Sequence, residues 1–138
     1  MAAVLLVEDD PDAQEILSKH LRRAGHEVIV ATNGRQAIGA LSDNRLAVVI
    51  LDYKLPEMDG ISFLEVIRCY LRWQTLPVIL LTGYGDGRHI EQARLLGVRR
   101  TFLKADYNIE ELLAEIAACE GGSPSDLGPP TDRGLPLS

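Results

Sequence analysis

The sequence is short of thiols, of long apolar runs and of positive charge. Its 138 residues include two cysteines, Cys69 and Cys119. Two thiols in a chain without a secretory leader argue against a disulfide framework and a cysteine metal site. A reducing cytoplasm is the expected compartment. The N-terminal apolar run is short and lacks a basic flank, unlike a signal peptide. No apolar stretch is long enough to span a membrane, so no membrane insertion is expected. The net charge of −6 argues against direct nucleic-acid binding. No glycine-rich loop follows the first apolar run, which disfavours a dinucleotide site.

What is present is an alternation of short apolar runs and amphipathic stretches. Apolar content of 46% with 25% charged residues suits one globular domain with its own core. "AVLLV", "HEVIVAT", "LAVVILD", "PVILLTG" and "RTFLK" read as strands. Continuous apolar runs bounded by polar residues mark strands covered on both faces. Between them, the periodicity predicts helices. The first buries a face carrying Ile16, Leu17, His20 and Leu21 and stops at Gly25. The second carries Ala37, Ile38 and Leu41. The third, "DGISFLEVIRCYLR", turns Phe63, Leu64, Ile67 and Leu71 inward. The fourth turns in Ile90, Ala93 and Leu96 or Leu95 and stops at Gly97, and Asn108 caps the fifth. Five strand–helix units imply an α/β fold, a doubly wound parallel sheet with helices on both faces. From residue 120 the composition changes: 11 of the last 19 residues are Gly, Pro or Ser. The expected organisation is a domain over 1–119 and a flexible tail or linker over 120–138.

In such a sheet, ligands bind beyond the carboxyl ends of the strands. Strand one runs into Glu8, Asp9 and Asp10, strand three ends in Asp52, strand four in Thr82 and strand five in Lys104. Three consecutive carboxylates repel one another, and partial burial raises the cost of keeping them ionised. Carboxylates with no histidine or thiolate among them suit a hard cation, Mg²⁺ before others. A cation would offset the repulsion and admit a phosphate. Asp52 could then attack phosphorus to form an acyl phosphate. Lys104 would pair with a phosphoryl oxygen, and Thr82 would donate a hydrogen bond to another. A lone "EDD" is more often a solvated loop. Only the constellation singles it out.

These residues give the chain its resemblance to the response-regulator receiver domains of two-component signalling. The motifs are Glu8-Asp9 of "VEDD", Asp52 of "LDYKLPEMDG", Thr82 of "LLTG" and Lys104 of "FLK", and the likeness runs from residue 3 to about 118. The resemblance implies a flavodoxin-like (βα)5 sheet of strand order 2-1-3-4-5. It implies that Asp52 is the phosphoacceptor and that Mg²⁺ is held by Asp9, by Glu8 through water, by Asp52 and by the Lys54 backbone carbonyl. Asp10 falls one position past the acid pair and has a supporting role. Thr82 resembles the switch hydroxyl and Lys104 the phosphate-pairing lysine. Lys54 and Tyr84 stand where variation tunes the lifetime of the acyl phosphate. The implied partners are a histidine kinase or histidine phosphotransfer protein and a downstream protein or output domain. A homodimer through the helix four–strand five–helix five face is also within the family's range.

The chain departs from the family in two places. The aromatic residue usual three positions before the lysine is Thr101, with Phe102 beside it, and the usual lysine–proline pair is Lys104-Ala105. The family's bond there is typically cis, which for a non-proline residue costs roughly 3 kcal/mol. Either a trans bond with a shifted loop or a strained cis bond is expected. The output face is therefore atypical. Two other functions compete with phosphoacceptance. One is a receiver fold used as a non-phosphorylated interaction scaffold. The other is a phosphatase of the haloacid-dehalogenase type, which resembles a D-x-D pattern; Lys54 stands where its second carboxylate would be. No helix-turn-helix or catalytic domain follows residue 119, so the chain reads as a stand-alone regulator or the receiver portion of something longer. Met58, Asp59 and Gly60 read as turn and helix-start residues. His20, His26 and His89 read as helix or loop residues, Trp73 as packing, and Arg99-Arg100 as a solvated pair.

Overall fold

The computed structural model describes residues 2–83 and 87–121. Tyr84 and residues 122–138 of the expected tail lie outside them. Among the described residues, strands and helices alternate: β1 (Ala3–Val7), α1 (Pro11–Arg23), β2 (Glu27–Ala31), α2 (Gly34–Asp43), β3 (Val48–Asp52), α3 (Gly60–Arg68), β4 (Val78–Thr82), α4 (Gly87–Leu95), β5 (Arg100–Leu103) and α5 (Ile109–Gly121). A 3₁₀ turn over Leu71–Trp73 sits between α3 and β4. The sheet is parallel throughout, in the order β2-β1-β3-β4-β5. Among the described residues, no helix is long and apolar enough to cross a membrane.

Each strand feeds two cores because successive side chains point to opposite faces. Val4, Leu6, Val48, Ile50, Ile79, Leu81 and Phe102 pack with Leu17 and Leu21 of α1 and Leu112 and Ile116 of α5. Leu5, Val7, Val49, Leu51, Val78 and Leu80 pack with Ala37 and Leu41 of α2, Phe63, Leu64 and Ile67 of α3, and Ala93 of α4. Continuing that alternation to the ends of β3 and β4, and one step past β1 and β5, gives the site its side chains. Glu8, Asp52 and Lys104 follow the parity of the α1/α5 face, whereas Thr82 follows that of the α2/α3/α4 face.

The helices start where side chains satisfy their first amides. Asp10, Asn33 and Asp59 accept from the backbone N–H groups of Ala13, Gln36 and Ser62. Such caps are worth about 1 kcal/mol each. Asn108 accepts from both Glu110 and Glu111 at the start of α5, as the sequence predicts. Gly25 and Gly97, at φ +92° and +84°, end α1 and α4 in the left-handed region that favours glycine.

Three inward faces differ from expectation. Ile16 is 59% exposed, and Ser18 is buried with Leu17 and Leu21 instead. Leu71 is 84% exposed, because α3 stops at Arg68 and the 3₁₀ turn rotates Trp73 into the core in its place. In α4 the buried side chains are His89 and Ala93, with Ile90 and Leu96 half-buried and Leu95 exposed. The Arg99-Arg100 pair is not simply solvated. Arg99 bonds Glu115 at 3.0 Å and Arg100 bonds Glu111 at 3.1 Å, tying β5 to α5. No cis peptide bond occurs among the described residues, so the Lys104-Ala105 bond is trans.

Arg68 is the reason α3 can end early. Its guanidinium donates to the carbonyls of Leu96, Trp73 and Leu76, each at 2.8 Å, and of Gly97 at 3.4 Å. One side chain thus ties the end of α3 to the loop before β4 and to the turn after α4. Replacing it would orphan several part-buried carbonyls at once. Arg68→Met is expected to lower the unfolding free energy by about 2–4 kcal/mol, read from urea denaturation. A loss below about 0.5 kcal/mol, the level of an ordinary surface substitution, would contradict this role.

Candidate functional site

The carboxyl ends of β1, β3, β4 and β5 lie side by side because the strands are parallel and in register. The backbone ladder runs one residue past the ends of β1, β3 and β5. The Glu8 N–H donates to Ala31 at 2.9 Å, that of Tyr53 to Leu81 at 2.9 Å, and that of Lys104 to Thr82 at 2.8 Å. Strand geometry therefore fixes where Glu8, Asp52 and Lys104 begin. The β3–α3 loop is closed by a 2.6 Å bond from the Gly60 N–H to the Tyr53 carbonyl. A Cβ on Gly60 would lie 2.9 Å from the Asp52 carbonyl oxygen and 3.0 Å from Tyr53 Cα. Glycine is needed there for close approach. In the same loop Glu57 sits at φ +71°, an uncommon conformation for a residue with a Cβ.

Lys104 is the centre of the cluster. Its Nζ lies 3.0 Å from Glu8 Oε1 and 3.1 Å from Asp52 Oδ2. Glu8 is 2% exposed and Asp52 4% exposed. The second Glu8 oxygen accepts from the Asp10 N–H at 3.1 Å, and Asp52 Oδ1 accepts from the Lys54 N–H at 3.4 Å. The Gln14 side chain donates to the Glu8 carbonyl. Burial pushes the Glu8 carboxyl above its ordinary range. The bonds from Lys104 and the Asp10 amide pull it back only partly, and the charge of Asp52 pushes it further up. Burial would lower the Lys104 ammonium, but its bonds to Glu8 and Asp52 and their charges outweigh that and raise it. Lys104 is thus held charged because it faces two acids, whereas Glu8 has one cation and a like charge beside it.

Asp9 is exposed and completes the set. Glu8, Asp9 and Asp52 each offer a carboxylate oxygen, all within 4.8 Å of one another. Three carboxylates and one ammonium leave two negative charges, the complement of a divalent cation. The donors are hard oxygens with no imidazole or thiolate among them, which fits magnesium. When bound, such an ion would polarise phosphoryl oxygens and neutralise their charge. Asp10 is not part of this cluster. Its side chain caps α1, and its support is the backbone bond to Glu8.

Thr82 joins the site through its backbone carbonyl. Its hydroxyl lies 3.1 Å from Nε2 of His89, in a buried contact. The His89 ring stacks on Tyr53, the residue after Asp52, with ring centroids 3.9 Å apart and planes inclined by 14°. His89 is a helix residue, as the sequence predicts, but its contact with Thr82 is not foreseen there; the signal in the sequence is its spacing of four from Ala93, which puts both on one helical stripe.

A protein-family model for the response regulator receiver domain matches residues 4–117. The chain is 34% identical over 119 residues to the transcriptional regulatory protein GltR of Pseudomonas aeruginosa, with 84% of this chain and 48% of GltR covered. It is 32% identical over 119 residues to a probable chemotaxis protein CheY of Rhizobium etli, covering 86% of this chain and 92% of that protein. Among solved structures, the receiver domain of the sensor histidine kinase PA1611 from Pseudomonas aeruginosa PAO1 superposes with a TM-score of 0.79 at 27% identity. The match covers 88% of this chain and 98% of that one, and that structure holds a magnesium ion in its active-site cleft. The chain spans half or less of several regulators that it matches, including GltR at 48% and PfeR at 36%.

The electrostatics make one expectation about stability. Without Lys104, two buried carboxylates would face each other with no cation. Lys104→Met is expected to cost about 1–3 kcal/mol of metal-free stability. Adding Glu8→Gln in that background should restore most of it. Equal urea midpoints for Lys104→Met and the parent would refute this reading.

Proposed function

The chain belongs to the response-regulator receiver family, the signalling domains of two-component systems, and from that premise we propose that Asp52 is its phosphoacceptor. The observation that carries the reading is the position of the Asp52 carboxylate. It is buried at a strand end, 3.1 Å from the Lys104 ammonium, with Glu8 and Asp9 oxygens beside it. An Asp52 oxygen attacks the phosphorus of a phosphohistidine on a histidine kinase or histidine phosphotransfer protein. The new Oδ–P bond forms as the N–P bond breaks, and the electron pair returns to the departing imidazole, which takes up a proton. Lys104 pairs with one phosphoryl oxygen and Thr82 donates a hydrogen bond to another. Glu8, Asp9, Asp52 and the Lys54 backbone carbonyl would hold Mg²⁺, as the hard-oxygen donor set favours. Water later hydrolyses the acyl phosphate and resets the switch.

The product is a changed protein surface, read by a downstream protein or an output domain. The receiver runs to the end of α5 at Gly121, two residues past the boundary expected at 119, and the Gly/Pro/Ser-rich composition beyond it supports a linker or tail. The acidic balance supports a signal passed through protein contacts and not through nucleic acid bound by this chain.

The test is intact-mass measurement after incubation with acetyl phosphate and Mg²⁺. One added phosphoryl group is expected, absent in Asp52→Asn and without metal. No adduct, together with no binding of the phosphoryl mimic beryllofluoride, would overturn the proposal and leave the interaction-scaffold reading in its place.

A further inference from the structure

We propose that His89 is the positioning residue through which the state of Asp52 reaches α4. The inference rests on the phosphoacceptor reading above and deepens it. Three observations converge on this one side chain. Its Nε2 is 3.1 Å from the Thr82 hydroxyl. Its ring lies flat on Tyr53, which follows Asp52 in the chain. It is 5% exposed and is, with Ala93, one of the two buried side chains of α4. β5 brings no ring to this face: Thr101 stands opposite Leu80, and Phe102 turns into the other core.

The coupling follows from counting protons. A threonine hydroxyl has one proton to donate and two lone pairs. A phosphoryl oxygen on Asp52 can only accept. When Thr82 donates to it, that single proton is committed. His89 then keeps its bond to Thr82 only by donating its own Nε2–H into the hydroxyl oxygen; otherwise the bond is lost. The coupling therefore requires a resting bond that runs from the Thr82 hydroxyl to an accepting Nε2, and the surroundings of Nε2 then change with the state of Asp52. The ring is buried and stacked on Tyr53, so a change in its bond to Thr82 is carried to the helix that it helps to anchor. An element biased at one end by the Asp52 site and at the other by whatever binds α4 meets the requirement for coupling two sites.

The experiment uses the full chain with isotope-labelled histidine rings and backbone amides, saturated with Mg²⁺ and beryllofluoride. Bound fluoride is followed separately by ¹⁹F resonance. The His89 ring signals and the amides of residues 87–95 are expected to shift in step with the bound-fluoride signal. In His89→Phe, which keeps a flat ring on Tyr53 but has no nitrogen, the α4 amide shifts should fall to those of Mg²⁺ alone at saturating fluoride. His89→Gln, which restores a polar partner for Thr82, should recover part of the shift. Stationary His89 signals in the parent with fluoride bound would overturn the coupling and spare the phosphoacceptor reading. So would α4 shifts in His89→Phe as large as in the parent. Absence of any bound fluoride would sink the phosphoacceptor reading, and the coupling with it.

Discussion

Two carboxylates that must not face each other alone are held at the ends of adjacent strands. Glu8 ends the β1 run and Asp52 ends β3, and each is almost fully buried. Moving such charges out of water costs several kcal/mol per ion unless partners replace the solvent. Lys104 is the partner, reaching both from 96 and 52 residues away in sequence. It can do so only because β5 is parallel to β4 and its ladder bond to Thr82 fixes the residue at that height. The strand order, the parity of the side chains and the tight β3–α3 loop over Gly60 all set the geometry of this one triad. Asp9 adds a third carboxylate, and the excess of negative charge that remains is what makes the cleft receptive to a divalent cation.

The strands, and the gathering of the candidate site residues at their ends, are legible because they are written in local signals. Continuous apolar runs such as "VVILD" mark strands buried on both faces, and each functional side chain lies at or just past the end of such a run. Helix faces were harder to read. Ile16 fits the apolar stripe of α1 by spacing, yet the stripe is narrower than its apolar residues allow, and Ser18 takes an inward position. Leu71 continues the stripe of α3 in sequence, but no periodicity reveals that Arg68 will clasp four carbonyls further along the chain where the helix stops. His89 reads as a helix residue, which it is, but its role depends on a partner that the helix pattern does not show, because Thr82 lies on a strand. The coarse fold is a matter of pattern, whereas these three positions are settled by tertiary contacts.

The same contrast separates the rigid part of the molecule from the part suited to move. The sheet residues behind the site are fully buried, with Val4 to Val7, Val48 to Leu51 and Val78 to Leu80 all at 0% exposure. α4 buries only His89 and Ala93. Under the proposed coupling, a small change at Asp52 finds no give in the sheet but meets a lightly anchored helix through Thr82 and His89. Family membership says that receivers signal. In this chain the side chains suggest the route by which the signal leaves, even though Thr101 and Ala105 depart from the usual pattern.

The central claim is that the acid cluster is a cation site whose repulsion a divalent ion offsets. Its most direct test is urea unfolding across a Mg²⁺ titration, with ionic strength held constant by a monovalent salt. A ligand that binds only the folded state stabilises it by about 2.7 kcal/mol at a hundredfold excess over its dissociation constant. The account predicts a saturable rise of this kind in the parent and a much smaller one in Asp52→Asn. Unfolding curves that do not respond to Mg²⁺, or that respond equally in both proteins, would contradict it.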